Sequence, residues 1–190
     1  MNQKFNNRYR IPSARLQSWD YGKNGAYFIT ICTKNMRHFF GSVVNSEMQW
    51  NDIGEIAMQL WSDIPIYFPY VELGNFIVMP NHVHGILIIN KEENKEENNI
   101  AVKLNDLLET GGFANEKNPM LNENISRIIR WYKGRCSYEI RKLNSDFNWL
   151  SRFYDVIIRD SKRFEIIQTY IEQNPAKWSA DKFFKKPQES

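Results

Sequence analysis

His82-Val83-His84 is a stretch whose residue types and spacing suggest chemistry. In an extended strand alternate side chains share a face, so the two imidazoles project together while Val83 turns the other way, into the core. Two imidazole nitrogens on one face hold a divalent ion once another protein donor arrives, and they leave positions open for water or a phosphate oxygen. A bare His-x-His pair equally suits histidines that are only packed or exposed, so the pair alone does not decide. Ligands on such a face are expected to be removable without emptying the core. His38, the remaining histidine, has no spaced partner and reads as structural or as a phosphate contact.

Tyr170 and Asn174 form the second cluster, in a segment whose apolar stripe is Phe164, Ile167 and Ile171. One helical turn sets phenol and amide side by side at the edge of that stripe, with Arg163 on the same edge. An ion held between this helix and the histidine strand could be touched by Asn174, with Tyr170 facing its bound phosphate. The plain alternative is a tyrosine at the core boundary, ring packed and hydroxyl wet. Tyr27, Tyr132 and Tyr154 read as core or support residues.

The elements that must position these side chains follow from pattern. Ala26–Thr33 is rich in β-branched and aromatic residues and reads as a central strand. Residues 39–44 and 47–50, joined by Asn45-Ser46, read as a hairpin. Between Asp52 and Ile64 the apolar residues recur at three and four, which predicts a helix that Asn51 caps and Pro65 stops. Residues 72–79 and 82–89 are strands separated by Pro80-Asn81. The stripe of Ile125, Ile128, Ile129, Tyr132, Cys136, Ile140 and Leu143 predicts a long amphipathic helix over 122–143, with basic residues around the rest of its circumference. Tyr154–Ile158 reads as a last strand, and Asp160 or Ser161 caps a last helix that runs to about Asn174 and ends at Pro175. Residues 91–120, with a charge-rich start, Gly111-Gly112 and Pro119, are expected to be a mobile insertion. Interspersed strands and helices with a hairpin and no Gly-rich phosphate loop favour an α+β sandwich on an antiparallel sheet.

At 190 residues, with 42% hydrophobic, 14% aromatic and 25% charged residues, the chain suits one domain with a sizeable core. No apolar run suggests a membrane span, and the polar, basic start does not resemble a secretion signal, so the expected location is the cytoplasm. Cys32 and Cys136 lie far apart, which argues for reduced core residues over a disulfide or a thiolate zinc site. The net charge of +3 is too small to identify a nucleic-acid binder. Its distribution says more. Lys4, Arg8, Arg10, Arg15, Lys23, Lys34 and Arg37 crowd the start, and Arg127, Arg130, Lys133, Arg135, Arg141 and Lys142 crowd the amphipathic helix. Such clusters fit phosphates, although ordinary solubilising charge explains them as well.

Five segments, in order, resemble the HUH single-tyrosine transposases, the REP-associated tyrosine transposases most closely. They are Ala26–Thr33, Phe76-Ile-Val-Met-Pro-Asn-His-Val-His-Gly85, Trp131-Tyr-Lys133, Phe153–Arg159 and Tyr170-Ile-Glu-Gln-Asn-Pro175, and the likeness runs from about Arg8 to Trp178. The resemblance implies a ferredoxin-like fold, His82 and His84 as metal ligands and Tyr170 as nucleophile. It also implies Asn174 at the place where relatives carry a glutamine ligand; asparagine is one methylene shorter. Mg²⁺ or Mn²⁺ suits a mixed imidazole and amide site with a phosphate ligand. The implied reaction cuts and rejoins single-stranded or hairpin DNA through a 5′-phosphotyrosine link, in a monomer or homodimer without a membrane partner. Arg130, Lys133 and Arg163 are the candidate DNA contacts, and Trp19, Tyr21 and Trp131 could stack bases. Two other readings stand beside it: a catalytically silent nucleic-acid-binding module of the same fold, and a metal-dependent phosphodiesterase that uses water.

Overall fold

The computed structural model describes residues 22–91 and 124–184, together with two short paired strands, Lys4–Phe5 (β1) and Arg8–Tyr9 (β2). Trp19, Tyr21 and almost all of the expected insertion at 91–120 lie outside the described residues. Gly25–Cys32 (β3) is central, as its composition predicts. It pairs antiparallel with His82–Ile89 (β7) on one side and with Tyr154–Ile158 (β8) on the other, and Val71–Met79 (β6) completes the order β6-β7-β3-β8. The register sets Cys32 and Met79 beside His82, and Thr30 and Ile77 beside His84.

Gly41–Val44 (β4) and Glu47–Trp50 (β5) form the expected hairpin. Asn45 and Ser46 hold φ of 51° and 65°, the two left-handed residues that match a tight turn to the twist of its strands. Asn51 then caps Asp52–Ser62 (α1), its side chain accepting from the Gly54 amide. Pro65 does not end the helical path. It stands in the first turn of a second short helix, Ile64–Tyr67 (α2), where a missing N–H leaves no bond unmade. Ile125–Ile140 (α3) starts from an Asn124 cap and is shorter than the 122–143 pattern; Leu143 lies past its end and is exposed. Ser161–Glu172 (α4) is capped by Asp160.

The run β3, α1, β6, β7, α3, β8, with the first strand inside the sheet, is the ferredoxin-like α+β sandwich expected from sequence. One face of the sheet carries the main core, in which Tyr27, Ile29, Ile31, Val83 and Leu87 meet Ala57 and Trp61 of α1 and Ile128 and Tyr132 of α3. The other face packs Ile86 and Ile158 against Ile167 and Ile171 of α4. Alternation along β7 therefore sends Val83 to α1 and α3, and sends His82, His84 and Ile86 to the α4 side. The strand is covered on both faces. Cys32 and Cys136 are buried and unpaired with each other, in line with the expectation, and burial pushes the Cys32 thiol up to about 11. Tyr27 and Tyr132 are core residues, whereas Tyr154, on the edge strand β8, is exposed. Trp131 packs its ring on Tyr67 and Phe68.

Candidate active site

Strand β7 delivers both histidines to one face, and helix α4 lies over that face with Tyr170 near its C-terminal end. The Tyr170 hydroxyl stands 3.2 Å from His84 Nε2. Its single proton can turn to that nitrogen or to Asp181 Oδ2, 3.4 Å away, and Asn174 Nδ2 donates to the same carboxylate oxygen over 3.3 Å. The expected one-turn pairing of phenol and amide thus holds, and an aspartate from beyond the helix bridges the two. Each histidine is held by its other nitrogen. His82 Nδ1 is 2.8 Å from Asn81 Oδ1, and His84 Nδ1 is 2.9 Å from Thr30 Oγ1 on the neighbouring strand.

Aromatic rings wall the cluster. Phe28 stacks on His84 with centroids 5.2 Å apart and meets Tyr170 edge-on at 6.0 Å. After the 3-10 turn at Trp178–Ala180 the chain returns across the site and places Phe183 4.8 Å from the His82 ring and 5.8 Å from the His84 ring. As a result His82 and His84 are 0% and 1% exposed and Asn174 is 1% exposed, while Tyr170 keeps 36% of its surface open. Alanine at either histidine would leave a cavity, against the expectation that these side chains are removable without cost to the core. His38 packs its ring on Trp178, 5.6 Å away.

Burial dominates the electrostatics. It drives His82 down to about 3, helped by the positive charge of Lys182 and by His38. It also drives His84 well below the usual histidine value, with His82 and Lys182 adding to the shift and Asp181 and the Ile29 carbonyl opposing it. Both rings are therefore neutral, the form that offers a lone pair. Tyr170 is pushed up to about 12, first by burial and then by the Asp181 carboxylate, with the Asn174 amide opposing.

Neutral buried histidines make stability depend on pH. Below about 6.5 the unfolded chain protonates them while the fold does not, so the unfolded state binds more protons and folding weakens as pH falls. The metal-free protein is expected to lose stability from about pH 6.5 downward, each such histidine adding up to ~1.4 kcal/mol per pH unit. Urea unfolding at a series of pH values checks this. His82→Gln should flatten the slope, and an unaltered slope would show that the ring is protonated inside the fold.

The side chains expected to meet DNA do not join this cluster. Lys133 is on α3, and its ammonium donates to the Leu150 and Ser151 carbonyls at 2.6 and 3.2 Å. Arg130 is exposed on the same helix, whose apolar stripe packs on the opposite face of the sheet from the histidines. Arg163 is exposed in the first turn of α4. Asp181, Phe183, Thr30 and Asn81 are parts of the site that sequence reasoning missed. Asp181 and Phe183 follow Pro175 in a stretch without periodicity, so no local signal marks them. Thr30 was legible in principle, because pairing β3 with β7 sets it opposite His84.

Whether the site suits a divalent ion is tested by its unpaired atoms. Among the described residues, the buried His82 Nε2 and Asn174 Oδ1 have no hydrogen-bond partner. Imidazole nitrogens and an amide oxygen are donor types that fit such an ion. No three His, Cys, Asp or Glu side chains among the described residues are grouped to hold one.

No family model matches the chain. A protein of Haemophilus influenzae described as uncharacterized is 36% identical over 174 residues, which cover 90% of this chain and 92% of that one. Among solved structures, a REP-associated tyrosine transposase bound to a REP hairpin superposes with a TM-score of 0.53 at 19% identity, over 90% of this chain and 77% of that one. At that identity the likeness speaks for the fold. The chain belongs to one family with the Haemophilus influenzae protein, and it carries the fold of the REP-associated tyrosine transposases.

Proposed function

We propose that the protein is a metal-dependent transposase-type strand transferase, cutting and rejoining single-stranded or hairpin DNA through Tyr170. The observation that supports it best is the meeting of a half-open tyrosine hydroxyl with a buried face of histidine and amide lone pairs. His82 Nε2, His84 Nε2 and Asn174 Oδ1 would hold Mg²⁺ or Mn²⁺. A divalent ion bound there supplies Lewis acidity at a phosphate oxygen. Tyr170 supplies the nucleophile: its O–H proton passes to the Asp181 carboxylate it faces, its oxygen attacks the scissile phosphorus in line, the P–O3′ bond breaks, and the 3′ oxygen takes up a proton and leaves as a hydroxyl. One phosphoester replaces another, so a 3′-hydroxyl can reverse the step and rejoin strands without a nucleotide cofactor. As it stands the phenol, held near 12, is a weak nucleophile, and the positive charge of a bound ion is what this site needs to activate it.

Incubating the full chain with single-stranded hairpin DNA and Mn²⁺ should give a denaturation-resistant adduct at the 5′-phosphate end of the downstream fragment, with a free 3′-hydroxyl on the upstream one. Cut DNA without attached protein would indicate the water-using phosphodiesterase. Salt-sensitive binding without any cut would indicate the binding module. The basic residues Arg130, Lys133 and Arg163 are proposed DNA contacts within this reading, with Arg163, on the helix of the tyrosine, the best placed.

The amide has its own expected result. Asn174→Ala should weaken Mn²⁺ binding by about ten- to a hundredfold in calorimetry, the range for a lost supporting group, and excess Mn²⁺ should restore much of the rate. An unchanged affinity would make Asn174 a helix-end residue only.

A further inference from the structure

Asn81, wholly buried in the turn between β6 and β7, spends its whole amide on three partners. Nδ2 donates to the Met36 carbonyl at 3.1 Å and to the Phe183 carbonyl at 2.9 Å, and Oδ1 faces His82 Nδ1 at 2.8 Å. Two carbonyls against the nitrogen fix the direction of the amide, because reversing it would set its oxygen against two acceptors. The atom opposite His82 Nδ1 is therefore an acceptor, and Nδ1 must carry the ring proton. In a neutral imidazole the lone pair then lies at Nε2, the buried atom without a hydrogen-bond partner among the described residues.

His84 is held differently. Its Nδ1 meets the Thr30 hydroxyl, which can donate as well as accept, so this partner, unlike the Asn81 amide oxygen, does not by itself set the tautomer. The same amide also joins separate parts of the chain. Met36 belongs to a turn in which Asn35 and Met36 both hold φ of 58°, a costly left-handed conformation for side-chain-bearing residues, and Phe183 belongs to the segment that closes over the histidines.

We propose that Asn81 is a positioning residue that locks His82 in the Nδ1–H tautomer and so presents its Nε2 lone pair to a divalent cation. The cation half of this statement rests on the function proposed above; the tautomer half does not. Long-range ¹H–¹⁵N correlation of the metal-free full chain at about pH 8, above the histidine range, reads the tautomer directly. The expected spectrum shows a protonated Nδ1 and an unprotonated Nε2 at His82. Asn81→Asp, which keeps an acceptor but loses both donors, should retain that tautomer. Asn81→Leu should shift His82 toward the Nε2–H form, leave His84 unchanged, and weaken Mn²⁺ binding about ten- to a hundredfold. An Nε2–H form in the parent protein, or an unchanged tautomer in Asn81→Leu, overturns the proposal. Should Asn81→Leu fail to fold, the parent and Asn81→Asp spectra decide it alone. The expected tautomers with no Mn²⁺ binding by the parent would overturn the metal reading and leave the positioning role standing.

Discussion

Tyr170→Phe is expected to abolish the covalent protein–DNA adduct, lowering strand cleavage by at least ~10⁴-fold, with the fold and DNA binding retained. The substitution removes one oxygen. That oxygen contacts His84 Nε2 and Asp181, whereas the ring edge that meets Phe28 is common to both residues. The side chain is 36% exposed, so little packing is at stake. Denaturing gels with end-labelled hairpin DNA and Mn²⁺ check the adduct, and thermal unfolding checks the fold. If the phenylalanine form still cuts, the nucleophile is water and the strand-transferase reading fails.

Gly85→Ala is expected to destabilise the fold strongly. A Cβ at this position would lie 2.3 Å from Cζ2 and 2.8 Å from Cε2 of Trp61, and 3.0 Å from Cβ of Phe76. The indole cannot withdraw. It is wholly buried, with Phe76 stacked on it at 6.0 Å and Tyr132 against its face at 5.1 Å. Relief must come from the backbone of β7, and overpacking of this kind costs about 1–3 kcal/mol, which lowers Tm by roughly 2–12 °C in a domain of this size. Because Gly85 adjoins His84, the same shift should loosen the histidine from Thr30 and weaken Mn²⁺ binding in parallel. Circular dichroism melts check the first effect and calorimetry the second. An unchanged Tm would mean that strand and indole can part at no cost.

Spacing alone determined the pairs within the site. The period of two in β7 set His82 and His84 on one face opposite Val83, and the 3.6-residue period of α4 set Asn174 one turn from Tyr170, because both relations are properties of a single element. Element boundaries were legible for the same reason where caps and turn residues are local: Asn51, Asn45-Ser46 and Asp160 act within a few residues of themselves. Pro65 misled because a proline that ends one helix can open the next, a choice settled by the packing of Ile64. Meetings between elements lay beyond any local pattern. The Tyr170 hydroxyl reaches His84 across 86 positions, and Asn81 reaches the Phe183 carbonyl across 102. The polar arc of α3 held Arg130 and Lys133 in view, yet which sheet face takes that helix decides what they meet, and it packs away from the histidines. Periodicity fixes which side chains share a face; the competition among faces for burial, settled only when the whole sheet is covered, fixes which faces meet and leaves two lone pairs unpaired between them.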